Sequence, residues 1–253
     1  MANFLNNTDF HFQISAPSWV IPGTIAENCR FLAGKVDEVA LLFFETESCL
    51  AYTDADLPQE LAYTGLAFHI HHPLDLPWEK GGGRVAEIVL ALNEKAEHLN
   101  PSAHVVHPPP AGPEAAGVIQ EFAAVISRSG IDPETVLFEN IKENSLFGLT
   151  GNIADCGMKI CLDLGHILAY AQHDLLRESG LDGQVRMLHL NAPGPKGRHL
   201  GLEHLDRDGF ETLDILFEKL SKGGTVTVEV FEEKSFFKSL QLLSDYCTSR
   251  KIK

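Results

Sequence analysis

A chain of 253 residues can form one α/β barrel or two smaller domains, and its 44% of hydrophobic residues is enough for one large core. The chain carries 35 acidic and only 20 basic residues, a net charge of −15. This balance argues against DNA, RNA or an anionic membrane surface as a partner, because such partners are bound through Lys and Arg. No run approaches the roughly 18 consecutive apolar residues of a membrane span.

The compartment is indicated by the first residues and by the cysteines. The opening stretch, "MANFLNNTDFHF", lacks the basic segment and apolar core of a secretory signal. The five cysteines are scattered and form no C-x-x-C pair. We therefore expect reduced thiols in a cytoplasmic protein.

Eight strand-like apolar runs follow one another along the chain. In order they are "FQISAPSW", "EVALLFFE", "LAFHIHHP", "AHVVHPPP", "TVLFEN", "KICLDLGH", "VRMLHLNAP" and "TVTVEVFE". Helix-like segments with apolar residues three and four apart lie between most of them. The clearest are "GGRVAEIVLALNEKAEHLN", "GPEAAGVIQEFAAVISRSG", "FETLDILFEKLSKGG" and "EKSFFKSLQLLSDYC", whereas the segments after strands 2, 5 and 6 are shorter.

This alternation predicts an α/β fold, a single (β/α)8 TIM barrel over residues 1–253, because no linker, charge block or low-complexity tract divides the chain. The alternative is an open doubly wound sheet. Such a sheet for dinucleotides usually carries G-x-G-x-x-G after an early strand, and the chain lacks that pattern. The run "KGGGR" is weak support for any function.

Six successive strands end in an imidazole or a carboxylate, at intervals of roughly one β-α unit of about 30 residues. These residues are His71, His107, Glu139, Asp163, His189 and Glu229. Because the C-terminal strand ends of a barrel converge on one mouth, we expect these side chains to meet there. Their types are ligands for divalent metals. We expect one to three bound ions, zinc or manganese.

The stretch "ICLDLGHILAYA" poses the sharpest question, because a buried strand stops at Asp163 and His166 follows three residues later. A buried charge is costly unless it is paired or bound to metal. One interpretation makes Asp163 a helix N-cap, for which Asp is favoured. The other makes Asp163 and His166 a pair of metal ligands.

At these residues the chain resembles the xylose-isomerase-like barrel superfamily, which includes sugar isomerases, epimerases and endonuclease IV of AP endonuclease family 2. "LDLGH" is similar to the superfamily's D-x-x-H signature, which implies that Asp163 and His166 are ligands. The resemblance places Glu139 of "FEN" at the bridging carboxylate, His189 of "LHLNAP" at the strand-7 ligand and Glu229 of "TVEVF" at the last one.

Two further motifs are similar to the phosphodiesterase branch, in which His71 of "HHP" and His107 of "VVHP" would hold an additional metal. The loop after strand 7 carries D-x-H in that branch. Here it reads "GRH", so His199 matches the histidine but Gly197 replaces the aspartate. The motif therefore does not decide whether a third metal site exists. His204 or Asp206 could supply the missing ligand. Arg198 could hold a phosphate, or be a solvated loop charge. The flanking His69 and His72 are expected to line the rim of the mouth.

The first half of the chain resembles the cobamide-remodelling phosphodiesterases of this superfamily, through "APSWVIPGTIAENCRFLAGKVDEVALLFFE" and "HIHHPLDLPW". The resemblance implies a metal-dependent hydrolase that cleaves the nucleotide-loop phosphodiester of a corrinoid, with Glu139, Glu229, His199 and Arg198 as catalytic residues. One alternative is a sugar isomerase or epimerase, with one divalent ion and two glutamates as acid and base. The other is a non-catalytic corrinoid- or metal-binding protein. In each case we expect a small-molecule ligand and neither nucleic acid nor membrane as a partner.

Overall fold

Eight parallel strands close into a barrel in the structure, a computed structural model that describes residues 10–250 and residue 252. The strands are β1 Gln13–Pro17, β2 Glu38–Leu42, β3 Ala67–His71, β4 His104–Val106, β5 Val136–Glu139, β6 Lys159–Asp163, β7 Val185–Leu190 and β8 Thr225–Val228. Around the ring they follow the order of the chain, and β1 closes the barrel against β8. The predicted α/β TIM-barrel fold is confirmed, and the open doubly wound sheet is excluded.

One helix follows each strand within the described residues. The helices are α1 Ile25–Leu32, α2 Thr46–Leu50, α3 Gly82–Ala96, α4 Ala115–Ile126, α5 Thr150–Asp155, α6 Leu164–Ala169, α7 Arg207–Lys219 and α8 Glu233–Arg250. As predicted, the helices after β2, β5 and β6 are short, with five or six residues each. None of the helices in residues 10–250 is long and apolar enough to cross a membrane.

The main hydrophobic core lies between the strands and the helices, because residues that point outward from the barrel pack against the apolar faces of the helices. A separate apolar cluster of Val105, Leu137, Cys161 and Met187 comes from β4 to β7. Successive strand residues alternate between the two sides of the sheet, and these four share the side of the strand-end ligand residues. This cluster therefore fills one half of the barrel interior beneath the mouth.

Two expectations about flanking histidines are wrong. His69 is fully buried on β3, two residues below His71, where its Nδ1 lies 3.3 Å from Oε1 of the buried Glu38. His72 is also fully buried, and its ring stacks on His104 with the ring centroids 5.4 Å apart. Neither lines the rim, because His69 lies deeper on the inward side and His72 has the opposite parity and points outward.

Two further expectations concern the cysteines and the first residues of the chain. All five cysteines lie in the described residues and are free thiols, which agrees with the absence of a paired pattern. The stretch on which the absence of a secretory signal was predicted lies mostly before residue 10, outside the described residues.

Candidate metal centre

The six strand-end side chains meet at the C-terminal mouth of the barrel. His71, Glu139 and Asp163 are the last residues of β3, β5 and β6; His107 and Glu229 directly follow β4 and β8, and His189 lies near the end of β7. Four of them, Glu139, Asp163, His189 and Glu229, place a potential ligand atom within 4.8 Å of one another. A second such group joins Glu139 and His189 to His71.

Glu139 lies at the middle of the centre and is shared between two sets of side chains. Its Oε2 lies 3.1 Å from Nε2 of His71 and 3.2 Å from Nε2 of His107. Its Oε1 lies 3.2 Å from Nδ1 of His189, which is also 3.7 Å from Oε2 of Glu229. One oxygen of Glu139 thus faces the β3–β4 side of the mouth and the other faces the β6–β8 side.

Asp163 is a helix N-cap and also lies among the potential metal ligands. Its Oδ1 accepts a hydrogen bond of 2.6 Å from the backbone N–H of His166, which makes it the N-cap of α6. Its Oδ2 accepts one of 2.8 Å from Nδ2 of Asn191. Its ligand atom nevertheless belongs to the tight group around Glu139. The cap and the amide therefore hold the carboxylate in place at the mouth.

His166 lies beside this group rather than within it. Its Nδ1 donates a 2.8 Å hydrogen bond to the backbone carbonyl of Asn140, and the same nitrogen is 3.7 Å from both Glu139 Oε1 and Asp163 Oδ1. Because Nδ1 carries the proton in that bond, Nε2 is the nitrogen left for a ligand.

The loop after β7 brings His199 to the centre. Ala192–Pro193 and His199–Leu200 form a small antiparallel hairpin, from which His199 Nδ1 approaches Oε2 of Glu229 at 3.1 Å and donates to the Glu229 carbonyl at 3.2 Å. Arg198 is exposed and lines the cavity into which the centre opens, together with Glu139 and His199. Gly197 also lines it, with a φ of +74° and nothing near the position of a Cβ atom.

The two suggested substitutes for the missing aspartate do not reach the centre. Asp206 is the N-cap of α7, where its Oδ1 accepts a 2.9 Å hydrogen bond from the N–H of Gly209. His204 is exposed on the short turn before α7 and does not line the cavity. Gly197 therefore has no replacement among these residues.

The buried charges shift the pKa values of the centre in opposite directions. Burial alone would raise the pKa of Glu139, but the charge of His189 and hydrogen bonds from His107, His189 and His71 hold that pKa well below its ordinary value. Burial alone would likewise raise the pKa of Glu229, yet His189 and His199 lower it to about 2. For Asp163 burial prevails, and its pKa is raised.

The same buried carboxylates raise the pKa values of two imidazoles. Burial would lower the pKa of His199, but the Glu229 carboxylate outweighs burial and raises that pKa to about 9. The pKa of His189 is raised well above its ordinary value because Cys161, Glu139 and Glu229 outweigh burial. At neutral pH the metal-free centre therefore keeps His199 protonated beside Glu229, and a bound cation would compete with that proton.

The donor set fits divalent metal ions. Nε2 of His189 is buried without a hydrogen-bond partner, and such orphaned atoms are rare in folded proteins. Three carboxylates and several imidazoles converge without a balancing Lys or Arg among the buried groups of residues 10–250. Burial of so much negative charge is costly unless it is paired or bound to metal.

Sequence reasoning missed the residues that orient the ligands. Asn140 accepts a 2.7 Å hydrogen bond from the N–H of Asp163, and Asn191 holds the Asp163 carboxylate. Gly165 makes room for this arrangement, because a Cβ there would overlap the Asn191 side chain. A sequence signal existed: each amide follows a ligand residue of the same strand end by one or two positions, in "EN" and "HLN".

The centre opens into a cavity of about 400 Å³, which lies within the usual range for small-ligand sites. Its polar wall comes from the centre itself and from Arg198 and His199, and its apolar wall from residues after β2, β3 and β8. A second cavity of about 570 Å³ adjoins it and shares Leu74 and His107.

Solved structures share this architecture over almost the whole chain. A D-tagatose 3-epimerase-like protein matches with 18% identity and a TM-score of 0.69, covering 96% of this chain and 100% of its own. Endonuclease IV from Thermus thermophilus matches with 19% identity and a TM-score of 0.64, covering 94% and 99%. A xylose isomerase domain protein from Planctomyces limnophilus matches with 19% identity and a TM-score of 0.66, covering 96% and 99%.

These likenesses establish the fold. The chain shares its fold with these three proteins, one of them epimerase-like and one an endonuclease IV. No protein-family model and no curated protein matches the sequence. The chemistry has to be argued from the site itself.

Proposed function

We propose that the protein is a metal-dependent phosphodiesterase. The observation that carries the proposal is the position of Glu139, whose two carboxylate oxygens face two different sets of ligand-type side chains. A carboxylate shared in this way is suited to bridging two metal ions, an arrangement that phosphatases and nucleases use to hold the attacking and leaving oxygens. A single-ion enzyme would not need His71 and His107 as metal ligands beside Oε2.

Each set supplies enough donors for one ion. His71, His107 and Oε2 of Glu139 would hold the first, and Oε1 of Glu139 with Asp163, His189 and Glu229 the second, with His166 beside them. Zinc or manganese suits these nitrogen and carboxylate donors. When bound, such ions supply Lewis acidity toward a phosphate oxygen and a more acidic water.

His199 and Arg198 complete the site from the loop after β7. His199 lines the cavity beside Glu229, so its imidazole is placed to give a proton to a leaving oxygen. Arg198 lines the cavity with its guanidinium free to bind a phosphate through two parallel hydrogen bonds. We assign proton donation to His199 because the aspartate that would help it hold a third ion is replaced by Gly197.

For the substrate we propose the nucleotide-loop phosphodiester of a cobamide, handled as a small molecule in the cytoplasm. The resemblance of the N-terminal half to cobamide-remodelling phosphodiesterases supports this choice. The net charge of −15 supports a substrate with one phosphodiester over a long polyanion such as DNA.

A sugar isomerase or epimerase is the second candidate, and one observation favours it. The larger ligand group is Glu139, Asp163, His189 and Glu229, which would hold one ion and offer two glutamates for proton transfer next to a carbonyl. In that enzyme His71 and His107 would contact substrate only.

Metal content and turnover of matched histidine variants separate the two candidates. The test uses the purified protein, elemental analysis, and assays with a cobamide, a 4-nitrophenyl phosphodiester and ketohexoses. His71→Ala and His107→Ala should each lower the metal content by one ion and sharply reduce phosphodiester cleavage. His173→Ala is the control, because His173 is a partly exposed histidine that pairs with Asp208 outside the centre.

The isomerase candidate predicts a different pattern. The wild-type protein would hold one ion, both centre variants would keep it, and ketohexose turnover would change mainly in KM. A full metal complement and full phosphodiesterase activity in both variants would refute the two-ion assignment.

A further inference from the structure

Four large apolar side chains stand exposed around the barrel mouth, each just after the C-terminal end of a strand. They are Trp19, Phe44, Leu74 and Phe231, and we call them the apolar rim. Seven large apolar residues are exposed in the described part of the chain, so more than half of them are gathered here. Single exposed apolar residues are normal, whereas a contiguous set beside a cavity marks a binding surface.

The rim is centred on the ends of β1 and β2, which supply no metal-ligand residue, and extends to the neighbouring strands β8 and β3. Its members follow β8, β1, β2 and β3, which are neighbours in the closed barrel. The ligand-type residues come from β3 to β8, and the ends of β1 and β2, both within the described residues, supply none. In their place stand Trp19 and Phe44, whose rings meet edge to face with centroids 5.7 Å apart.

The rim is continuous with the candidate metal centre. Phe44, Leu74 and Phe231 line the 400 Å³ cavity together with Glu139 and the loop residues after β7. The Phe231 ring stacks on His199 with a centroid distance of 5.2 Å. A molecule whose reacting group lies at Glu139 would therefore extend over the rim.

The adjoining cavity indicates the charge of that molecule. It shares Leu74 with the first cavity and is lined by apolar residues that include Trp78, Ile141 and the prolines at 108–110. Its charged lining residues are Glu79, Glu114 and Glu143, and no Lys or Arg of the described residues lines it. Such a wall accepts an uncharged or cationic group and repels an anionic one.

We propose that the apolar rim binds the non-reacting part of the substrate, a bulky, ring-containing group that is uncharged or cationic. The rim residues are then the specificity determinants: they select one phosphodiester over another by the size and apolarity of the substituent that is not the leaving group. This inference rests on the proposed phosphodiesterase function and defines its substrate class by chemistry.

Two substrates with the same leaving group test the inference. Bis(4-nitrophenyl) phosphate and methyl 4-nitrophenyl phosphate both release 4-nitrophenolate, and they differ in the group that stays on phosphorus. Trp19→Ala and Leu74→Ala should lower kcat/KM for the diaryl substrate by about tenfold relative to the wild-type protein, the loss expected for one aromatic or aliphatic contact. The same variants should lower kcat/KM for the methyl substrate much less than for the diaryl substrate, because a methyl group makes little contact with the rim.

Tyr63→Ala is the matched control. Tyr63 is 88% exposed and lies on the turn that precedes the N-terminal end of β3, at the opposite end of the barrel. The Tyr63→Ala variant should leave kcat/KM unchanged for both substrates. If Trp19→Ala and Leu74→Ala lower kcat/KM equally for both substrates, or lower it for neither, the rim does not select the substituent.

Binding without turnover separates failure of the rim from failure of the proposed function. Calorimetric titration with diphenyl phosphate should show saturable binding with a negative heat-capacity change, the signature of apolar burial, and dimethyl phosphate should bind more weakly and without that heat-capacity change. Trp19→Ala should weaken the binding of diphenyl phosphate and Tyr63→Ala should not.

If the protein binds diphenyl phosphate in this pattern yet cleaves no phosphodiester, the proposed function is wrong and the rim assignment stands. If it cleaves both substrates but both inert phosphates bind alike, the function stands and the rim assignment is wrong.

Discussion

Gly165, inside the "LDLGH" stretch, tests whether tertiary packing at the centre outweighs helix propensity. It lies in the first turn of α6, where Ala would be favoured over Gly by about 1 kcal/mol on propensity alone. A Cβ at this position would overlap Oδ1 of Asn191 and lie 2.7 Å from its Cγ. Asn191 is buried and cannot turn into solvent.

The opposing contributions give a definite sign. Displacing Asn191 breaks its 2.8 Å hydrogen bond to Asp163, and a bond to a charged group contributes about 1.5–3 kcal/mol. Overpacking a filled site adds about 1–3 kcal/mol. After subtraction of the helix gain, Gly165→Ala should lower the free energy of unfolding by roughly 1.5–5 kcal/mol.

Urea unfolding of the metal-free protein measures this change. Gly117→Ala is the control, because Gly117 is an exposed glycine in α4 with nothing within 4 Å of its Cβ position, so Ala should stabilise it by up to about 1 kcal/mol. In an Asn191→Ala background the overlap is gone, and Gly165→Ala should cost little. A Gly165→Ala protein as stable as Gly117→Ala, or additive effects in this double-mutant cycle, would refute the packing argument.

Three further predictions concern charge. The pKa of His199 is raised to about 9, so the stabilisation from its positive charge is fully present below its ordinary pKa and is lost as pH rises through about 9. The unfolding free energy of the metal-free protein should therefore fall over that pH interval. Metal affinity, measured by competition with a chelator, should rise over the same interval. Gly197→Asp should strengthen retention of the most weakly held ion in dialysis, and Gly197→Asn, which meets the same strain at a φ of +74°, should not. The protein should not shift duplex DNA at about 0.15 M salt in a gel assay, and tight binding that weakens steeply with salt would contradict the inference from its net charge.

The pattern of the sequence was sufficient for the fold and for the residue types at the mouth. Eight apolar runs alternating with helices allow few arrangements other than a closed parallel barrel, because parallel strands need crossover helices and both faces of the sheet must be covered. Once the barrel is accepted, strand ends converge by geometry. His71, Glu139 and Glu229 could therefore be placed together although more than 150 residues separate the first from the last.

Residues that are close in sequence were harder to place. His69, His71 and His72 occur within four positions, yet one lies deep in the barrel, one at the mouth and one outside against His104. Strand parity separates His72 from the other two, but a parallel strand is apolar on both sides, so its pattern does not show which side faces inward or how deep a residue lies.

What only the tertiary structure decided is the pairing of individual atoms at the centre. Asp163 caps α6 and also joins the ligand group because Asn191, from the next strand, holds its second oxygen and Gly165 leaves room for that amide. Glu139 divides its oxygens between two sets of histidines because β5 lies between β4 and β6 in the ring. The sequence determines which chemical groups reach the mouth, since strand length and alternation are local. Which oxygen faces which nitrogen depends on the packing of residues far apart in the chain, to within a fraction of an ångström, and no local pattern records it.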